Sequence, residues 1–470
     1  MGGGGLTRLE SQSSGAARAA AGLAVVGCGV AVGPLDTAVN IAFPAIVGAF
    51  GLPLEMIQWI IICYVLTYSS LMLVAGKLGD RYGRRRIFKI GLSVSCIGLA
   101  ACSLAPSFEW LLPARVAQGL GTALAIACGP ALATSLYPES ERPRIVGYYA
   151  AMFAAAGAIG PVVGGALSDA FGWQAVFWFR IPLAATVLAL AWLLPADRPA
   201  TGPQKPFDIQ GAFLLVLALA SLAVSLSLAR RGEGAAALAM AALAAGATAL
   251  FVRTERRADD PVLRMEAFRQ PRFALLNGLN IIVSSASFTP LLFTPFLLTQ
   301  FGGFDAATGG LALASGAVGT TAAAALAGRL IRPLSGGVVA AMGAALSGIG
   351  LFLIGWVDAS SSLLAVILTL ALAGAGLGLF QTAYLDGVTA ALPERERGVA
   401  GGLAMATRTI GVVAAASMLT LLFGQTESAG LAAGLGAQQA FEAAYGLAFT
   451  VAATAAAAGA ILAWTMRRSE

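Results

Sequence analysis

The stretch from Gly76 to Arg86 reads GKLGDRYGRRR and places six charged residues between two long apolar runs. Basic residues that flank membrane spans stay on the cytoplasmic side, so the stretch predicts a short cytoplasmic loop between two transmembrane helices. Its glycines permit a close turn, and Asp80 can pair with Arg84 or cap the following helix. The charges can act as an orientation signal alone, or the loop can form a cytoplasmic gate of Gly76, Asp80, Arg81, Gly83, Arg84 and Arg85.

Charged residues are scarce in the chain as a whole. Hydrophobic residues make up 58% of the 470 residues, charged residues make up 11%, and the mean hydropathy is +0.82, which excludes a soluble protein. The absence of histidine excludes histidine-based nucleophile activation and histidine-ligated zinc. The five cysteines stand apart within apolar stretches, so we expect free thiols and neither a metal site nor a cofactor.

Fourteen apolar runs are long enough to cross a bilayer, which takes about 20 helical residues. They predict an all-α polytopic membrane protein. The runs cover residues 20–48, 55–75, 87–105, 110–136, 145–167, 178–195, 209–229, 235–252, 273–300, 307–328, 337–357, 362–386, 398–423 and 441–466.

The basic residues assign a side of the membrane to each loop. With the N-terminus inside, roughly two dozen of the 29 basic residues fall in inner segments, whereas Arg230 and Arg231 fall outside and Arg180 lies near the outer end of its span. We therefore expect a bacterial plasma-membrane protein with both termini in the cytoplasm. The net charge of +6 then needs no nucleic-acid partner.

The two ends of the chain repeat one another. Gly119, Gly121 and the following PESER match Gly374, Gly376 and PERER with equal spacing, and SCIGL at 95–99 matches SGIGL at 347–351. The repeat predicts two parallel six-helix bundles, at 20–196 and 257–470, after a cytoplasmic tail at 1–19. Residues 197–256 form a linker with two inserted helices. Parallel repeats around a midplane site are typical of secondary transporters.

Three charged residues, Asp36, Arg115 and Arg408, lie deep inside predicted spans. Asp36 is the carboxylate that lies well within a span, where its insertion costs about 2.5 to 3.5 kcal/mol. It can carry a proton, or it can serve only as a structural partner for Arg115 at a similar depth or as a cap beside the bend at Gly33 and Pro34. Arg408 must also find a partner. It can pair with Asp386, or it can line an inner cavity with Gln381 and Tyr384.

Small residues dominate GAIGPVVGG at 157–165, which lets two helix backbones approach closely. The proline at 161 bends or weakens the helix. The stretch can serve packing alone or can seal a transport pathway.

The loop at 76–86 closely resembles the loop signature of the major facilitator superfamily. RVAQGLG at 115–121, GAIGPVVGG, LDTAVNIAFP at 35–44 and the two inserted helices resemble its fourteen-span drug:proton antiporter branch. Arg180 departs from this pattern, because the family usually has asparagine there. The resemblance implies that Asp36 and Arg115 couple transport to protons. It also implies a substrate cavity lined by Asn40, Gln118, Gln381, Tyr384 and Arg408. The antiporter helix that it implies contains Gly157, Gly160, Pro161, Gly164 and Gly165.

We therefore expect a monomeric transporter, not an enzyme, that exports amphipathic small molecules in exchange for protons, as in multidrug efflux and antibiotic resistance. Its partners would be the lipid bilayer, the cargo and protons, and the proton gradient would supply the energy, since no phosphate-binding loop is present. A transporter of one endogenous metabolite is an alternative, and Arg408 in the cavity would favour anionic or zwitterionic cargo. An intramembrane enzyme or sensor is the alternative from another class.

Overall fold

The computed structural model describes residues 3–194, 209–230, 233–257, 267–392 and 399–465. Long helices dominate these residues, and each predicted apolar run overlaps at least one of them. The helices are α1 (Gly3–Ala31), α2 (Ala38–Ile41), α3 (Phe43–Phe50), α4 (Ile57–Tyr82), α5 (Arg84–Ser103), α6 (Phe108–Ser135), α7 (Arg142–Phe171), α8 (Ala175–Trp178), α9 (Arg180–Leu190), α10 (Ile209–Arg230), α11 (Gly234–Glu255), α12 (Pro271–Phe296), α13 (Ala306–Leu334), α14 (Gly336–Ile354), α15 (Leu363–Ala391), α16 (Val399–Ala432) and α17 (Ala437–Thr465).

Twelve spans of the described residues are helical, long and apolar enough to cross a membrane. Helix α4 makes a thirteenth if its two parts, Ile57–Met72 and Val74–Tyr82, count as one span bent by 48°. Helix α10 occupies the place of the predicted span 209–229, but its apolar stretch Phe213–Leu222 is shorter than a crossing. The predicted total of fourteen therefore stays a prediction.

The first predicted span, 20–48, is broken rather than continuous. Helix α1 ends at Ala31, a 3-10 turn occupies Pro34–Thr37, and the short helices α2 and α3 complete the crossing. Proline favours the start of such a turn because it lacks a backbone N–H and has a fixed φ. Helix α1 already begins at Gly3, so it runs through the segment 1–19 that is predicted to be a cytoplasmic tail.

The same glycine contact joins two helices in each half of the chain. Gly121 on α6 lies directly against the backbone of Ser95 on α5, and Gly376 on α15 lies directly against the backbone of Ser347 on α14. A methyl group at either glycine would overlap the facing helix, so both contacts depend on the missing side chain. These are the positions that the sequence repeat pairs; the PERER copy at 393–397 lies outside the described residues.

The two halves meet at the end of the bundle opposite the chain termini, called here the far end. On one side, Gly165 of α7 packs against the backbone of Ala306, and Gly310 of α13 packs against the backbone of Pro161. On the other side, the Thr420 hydroxyl on α16 lies 3.4 Å from Oε1 of Gln58 on α4. These contacts hold the far ends of the two halves together.

A carboxylate of the first half also binds the second half at the far end. Asp169, near the end of α7, accepts hydrogen bonds from the backbone N–H groups of Ala306 (3.1 Å) and Ala307 (2.8 Å) at the start of α13. Asp305 caps this helix from its own chain segment by accepting from the Thr308 N–H at 2.7 Å. Since the first N–H groups of a helix lack partners within it, Asp169 provides a charge-assisted link between the halves.

The glycines of α7 make a testable pair. Alanine at Gly165 would place a methyl group on the Ala306 carbonyl, whereas a methyl group at Gly157 would meet only Pro34, at 3.8 Å. We expect Gly165→Ala to lower the stability by about 1 to 3 kcal/mol, the usual cost of overpacking. Gly157→Ala should leave the unfolding midpoint in detergent unchanged or slightly raised, and equal midpoints for the two variants would contradict the packing described here.

Candidate functional site

Asp36 lies in the 3-10 turn that breaks the first span, and 12% of its side chain is exposed. Two contacts hold the turn in place. The Tyr64 hydroxyl on α4 donates to the Gly33 carbonyl at 3.2 Å, and the Thr37 hydroxyl is 3.0 Å from the Gly157 carbonyl on α7. The break in the helix therefore presents a carboxylate at a site fixed by two neighbouring helices.

Arg115 on α6 binds both oxygens of this carboxylate. Its Nη1 lies 2.7 Å from Oδ1 of Asp36, and its Nη2 lies 2.8 Å from Oδ2. The Nε group donates to the Ile60 carbonyl at 3.1 Å, and the guanidinium lies 4.4 Å from the ring centroid of Tyr64. This two-pronged geometry is the strong form of a carboxylate–guanidinium contact, and an arginine buried at 2% exposure needs it.

Gln118 belongs to the same group rather than to an open cavity wall. It lies nearly one turn beyond Arg115 on α6 and is 1% exposed. Its Nε2 donates to Oδ1 of Asp36 at 2.9 Å, and its Oε1 accepts from Nη1 of Arg115 at 2.7 Å. In this conformation Gln118 is buried in the cluster, and its predicted role in the substrate cavity stays a prediction.

Arg180, at the start of α9, is the member that the sequence analysis did not assign to the site. Its Nη1 donates to Oδ1 of Asp36 at 2.9 Å, and its Nη2 donates to the Val176 carbonyl at 3.1 Å. The side chain is completely buried, and its Nε has no hydrogen-bond partner among the described residues. The sequence placed this residue near an outer helix end, where arginine is readily solvated; its replacement of the usual asparagine was the signal of a different role.

Asp36, Arg115, Gln118 and Arg180 are called the Asp36 cluster below. Its carboxylate accepts four hydrogen bonds, so the cluster suits the ionised form of Asp36. Two guanidinium groups face one carboxylate, which leaves a net charge of +1 by residue count. Among the described residues, Asp36 is the carboxylate that pairs with these buried cations, so its protonation would leave them without a balancing charge.

Helix α7 connects the Asp36 cluster to the other half of the protein. A methyl group on Gly160 would overlap the Thr37 hydroxyl, and one on Gly164 would lie 2.6 Å from Cβ of Ala38. Gly165 and Pro161 contact α13, as described above. The predicted antiporter helix thus touches the turn that carries the carboxylate on one side and the second half on the other.

The predicted gate forms a tight turn between α4 and α5. Gly83 has φ of 99°, a conformation that other residues rarely adopt, and the exposed Arg84 and Asp80 side chains pair at 2.7 Å. Gly79 allows α4 to approach α6, since a methyl group there would lie 2.8 Å from Sγ of Cys128. An exposed pair of this kind contributes about 0 to 1 kcal/mol. The remaining gate residues, Gly76, Arg81 and Arg85, lie on the same turn and its flanks.

Tyr384 is not a cavity residue in this conformation. It is 1% exposed, and its hydroxyl donates to Oδ1 of Asn277 at 2.9 Å and lies 3.3 Å from the Thr407 hydroxyl. Asn280 joins this uncharged group through a 2.8 Å hydrogen bond to Thr407. The sequence analysis missed both asparagines. Of the other predicted cavity residues, Gln381 is half-buried and Asn40 is at the edge of burial.

Arg408 is exposed on α16, and no ion pair joins it to Asp386, so the pairing considered from the sequence is absent. Val412 and Ala415 follow Arg408 by four and seven residues, so all three lie on the same face of α16. Both of those residues are buried in the main core. The Arg408 guanidinium is also close enough to the Tyr68 phenol on α4 to interact with it electrostatically. Arg408 therefore lies on the face of α16 that is turned towards α4, near the point where the Tyr68 hydroxyl lies 2.9 Å from Sδ of Met405.

Known proteins resemble the chain over most of its length. A family model described as Major Facilitator Superfamily matches residues 25–416. Multidrug resistance protein Stp of Mycobacterium tuberculosis is 30% identical over 79% of this chain and 70% of its own length. Methylenomycin A resistance protein of Streptomyces coelicolor is 26% identical over 85% of each chain, and riboflavin transporter RibZ of Clostridioides difficile is 25% identical over 86% of this chain and 88% of its own.

Solved structures agree with the fold. A bacterial homologue of the human lysosomal transporter Spinster, in an inward-facing and unoccupied conformation, has a TM-score of 0.70 at 17% identity and covers 96% of this chain and 97% of its own. The POT family transporter PepTSo has a TM-score of 0.68 at 14% identity and covers 95% and 97%. By the family match and the 30% relative, the chain belongs to the Major Facilitator Superfamily of transporters.

Proposed function

We propose that the protein exports amphipathic small molecules across the bacterial plasma membrane in exchange for protons, by alternating access. The Asp36 cluster carries this proposal: a single carboxylate, buried at a helix break, holds two arginines from different helices. A proton arriving at such a carboxylate changes both the local charge and the contacts between helices. Relatives named for multidrug, methylenomycin and tetracenomycin C resistance support export as the direction.

The arrangement of the halves suits one state of such a cycle. They touch at the far end, opposite the chain termini, and the Tyr68 hydroxyl on α4 also lies 2.9 Å from Sδ of Met405 on α16. With the termini in the cytoplasm, as the basic loops predict, this state opens inward, and the ionised Asp36 corresponds to a proton already released. Protonation from the outside in the opposite state would free Arg115 and Arg180 from Asp36, and helix α7 would carry the change to α13.

The energy of one coupled proton is sufficient for useful export. A charge that crosses 100 mV releases about 2.3 kcal/mol, which sustains an approximately fiftyfold gradient. We propose that the monomer works with this gradient as its energy source and needs no cofactor. The cargo site would lie between the halves, on the face of α16 that carries Arg408.

Transport of one endogenous metabolite is the second candidate, and the similarity to riboflavin transporter RibZ favours it. The two functions differ in their selectivity. A multidrug site accepts chemically unrelated amphipathic compounds, whereas a dedicated site contains several polar groups that fix one cargo. Competition between riboflavin and unrelated dyes for the purified protein separates the two.

Asp36→Asn tests proton coupling directly. We expect this variant in proteoliposomes to lose pH-driven transport of a panel of fluorescent amphipathic compounds, riboflavin included, because amide and carboxylate differ in their ability to take up a proton. Wild-type protein should move at least one compound against the proton flux, recorded with a pH-sensitive dye. Asp386→Asn, at an exposed carboxylate on α15, is the matched control and should retain transport. Full pH-driven transport by Asp36→Asn would exclude Asp36 as the coupling residue.

Asp169→Asn tests whether the halves separate at the far end. Removing this charge from the α13 N-terminus should cost about 0.5 to 2 kcal/mol, the usual range for a helix cap, and should favour the state with an open far end. The measurement is the rate of maleimide labelling at Leu298→Cys, a buried far-end position, in a background without the five native cysteines. We expect faster labelling with Asp169→Asn than with Asp305→Asn, which removes only the cap within α13. Equal rates would mean that Asp169 does not hold the halves together.

A further inference from the structure

The interior of the protein carries more positive than negative charge at the proposed transport site. Among the described residues, Asp36 is the carboxylate that contacts Arg115 and Arg180, and no ion pair includes Arg408. Arg115 and Arg180 therefore share one carboxylate, and Arg408 adds a third guanidinium group that is not in contact with it. Arginine keeps its charge in any environment that proteins provide, so this excess persists whether Asp36 is ionised or protonated.

Arg180 is the source of the excess within the Asp36 cluster. Without it, Asp36 and Arg115 would form a neutral pair, with Gln118 completing the hydrogen bonds. With it, Oδ1 of Asp36 receives bonds from both arginines, and Nε of Arg180 remains without a partner although the side chain is completely buried. A buried donor without an acceptor and an unbalanced charge both indicate that the site lacks negative charge.

Arg408 adds a positive charge on α16 of the second half, close to Tyr68 on α4 of the first half. The guanidinium is exposed, and it lies on the face of α16 that packs into the core one and two turns farther along, at Val412 and Ala415. A cargo molecule that enters between the halves can contact Arg408, while the Asp36 cluster acts on it through its net charge. Charges in a low-dielectric interior are poorly screened, so the cluster affects binding without contact.

We infer that Arg180 makes this site selective for cargo that bears a carboxylate or another anionic group, with Arg408 as the contact for that group. The inference rests on the proposed transport function and specifies its substrate class. Cationic cargo is disfavoured because both states of the Asp36 cluster are positively charged. A purely structural role for Arg180, in which it only joins α9 to the Asp36 turn, is the competing explanation.

A pair of dyes with the same ring system tests the charge preference. Fluorescein is anionic at pH 8, rhodamine 123 is cationic, and both are xanthenes. Fluorescence titration of the purified protein in detergent should give at least about tenfold tighter binding of fluorescein by wild type, and Arg180→Gln should reduce this ratio by about tenfold. Equal or tighter binding of rhodamine 123, or no binding of fluorescein, would overturn the inference.

Two further variants separate charge from structure. Arg180→Lys keeps the charge but loses the forked geometry, so it should retain the preference for fluorescein; a ratio as low as that of Arg180→Gln would indicate the structural role instead. Arg142→Gln removes an exposed arginine that pairs with Glu139, far from the site, and should leave the ratio unchanged. A loss with Arg142→Gln equal to that with Arg180→Gln would show that total charge, rather than this site, sets the preference.

Arg408→Gln decides the matter if Arg180→Gln fails to fold. The side chain is exposed, so its replacement spares the core, and the ratio should again fall by about tenfold. An unchanged ratio would overturn the inference. These titrations use no proton gradient, so a negative result does not bear on proton coupling by Asp36. Conversely, whether Asp36→Asn loses or keeps coupled transport does not determine which cargo charge the site prefers.

Discussion

A carboxylate removed from water must be compensated by donors, and the structure around Asp36 is organised by that requirement. Four hydrogen bonds reach its two oxygens, from Arg115, Gln118 and Arg180. The donors come from α6 and α9, while the turn that carries Asp36 interrupts the first span and is held by α4 and α7. Five segments of the first half are thus positioned by one charge, and a change in that charge must affect all of them.

Close backbone contacts of helix α7 link the surroundings of Asp36 to the second half of the protein. Small residues in α7 face the Asp36 turn on one side and α13 on the other, and neither surface can accept a methyl group at its central glycine, Gly160 or Gly165. In a bilayer, where burial of apolar surface does not drive helices together, such contacts depend on shape. A small displacement of the turn is therefore passed to the second half rather than absorbed by flexible side chains.

The sequence predicted the features that follow from apolar run length and from isolated charge. Every predicted run overlaps a helix, and Asp36 and Arg115 were paired candidates before their contact was seen. The sequence indicates a bend at Gly33 and Pro34, but not the 3-10 turn over Pro34–Thr37, because the apolar pattern of 20–48 is continuous and a turn of four residues hardly alters it. The partners of Arg180 and Tyr384 were not predicted, because depth along a helix does not reveal which way a side chain points: Arg180 turns inward to Asp36, and Tyr384 turns to Asn277.

The duplicated architecture does not extend to its chemistry. Counting along the repeat that aligns Gly119 with Gly374, the counterparts of Arg115 and Gln118 are Leu370 and Ala373, both buried among apolar neighbours. The second half is held instead by an uncharged group around Asn280 and Thr407. Among the described residues, a carboxylate held by buried arginines is therefore found in one of the two similar halves. Two conformations related by exchanging the halves would be equal in energy in a symmetric molecule; here they are unequal, because the charged group belongs to the first half.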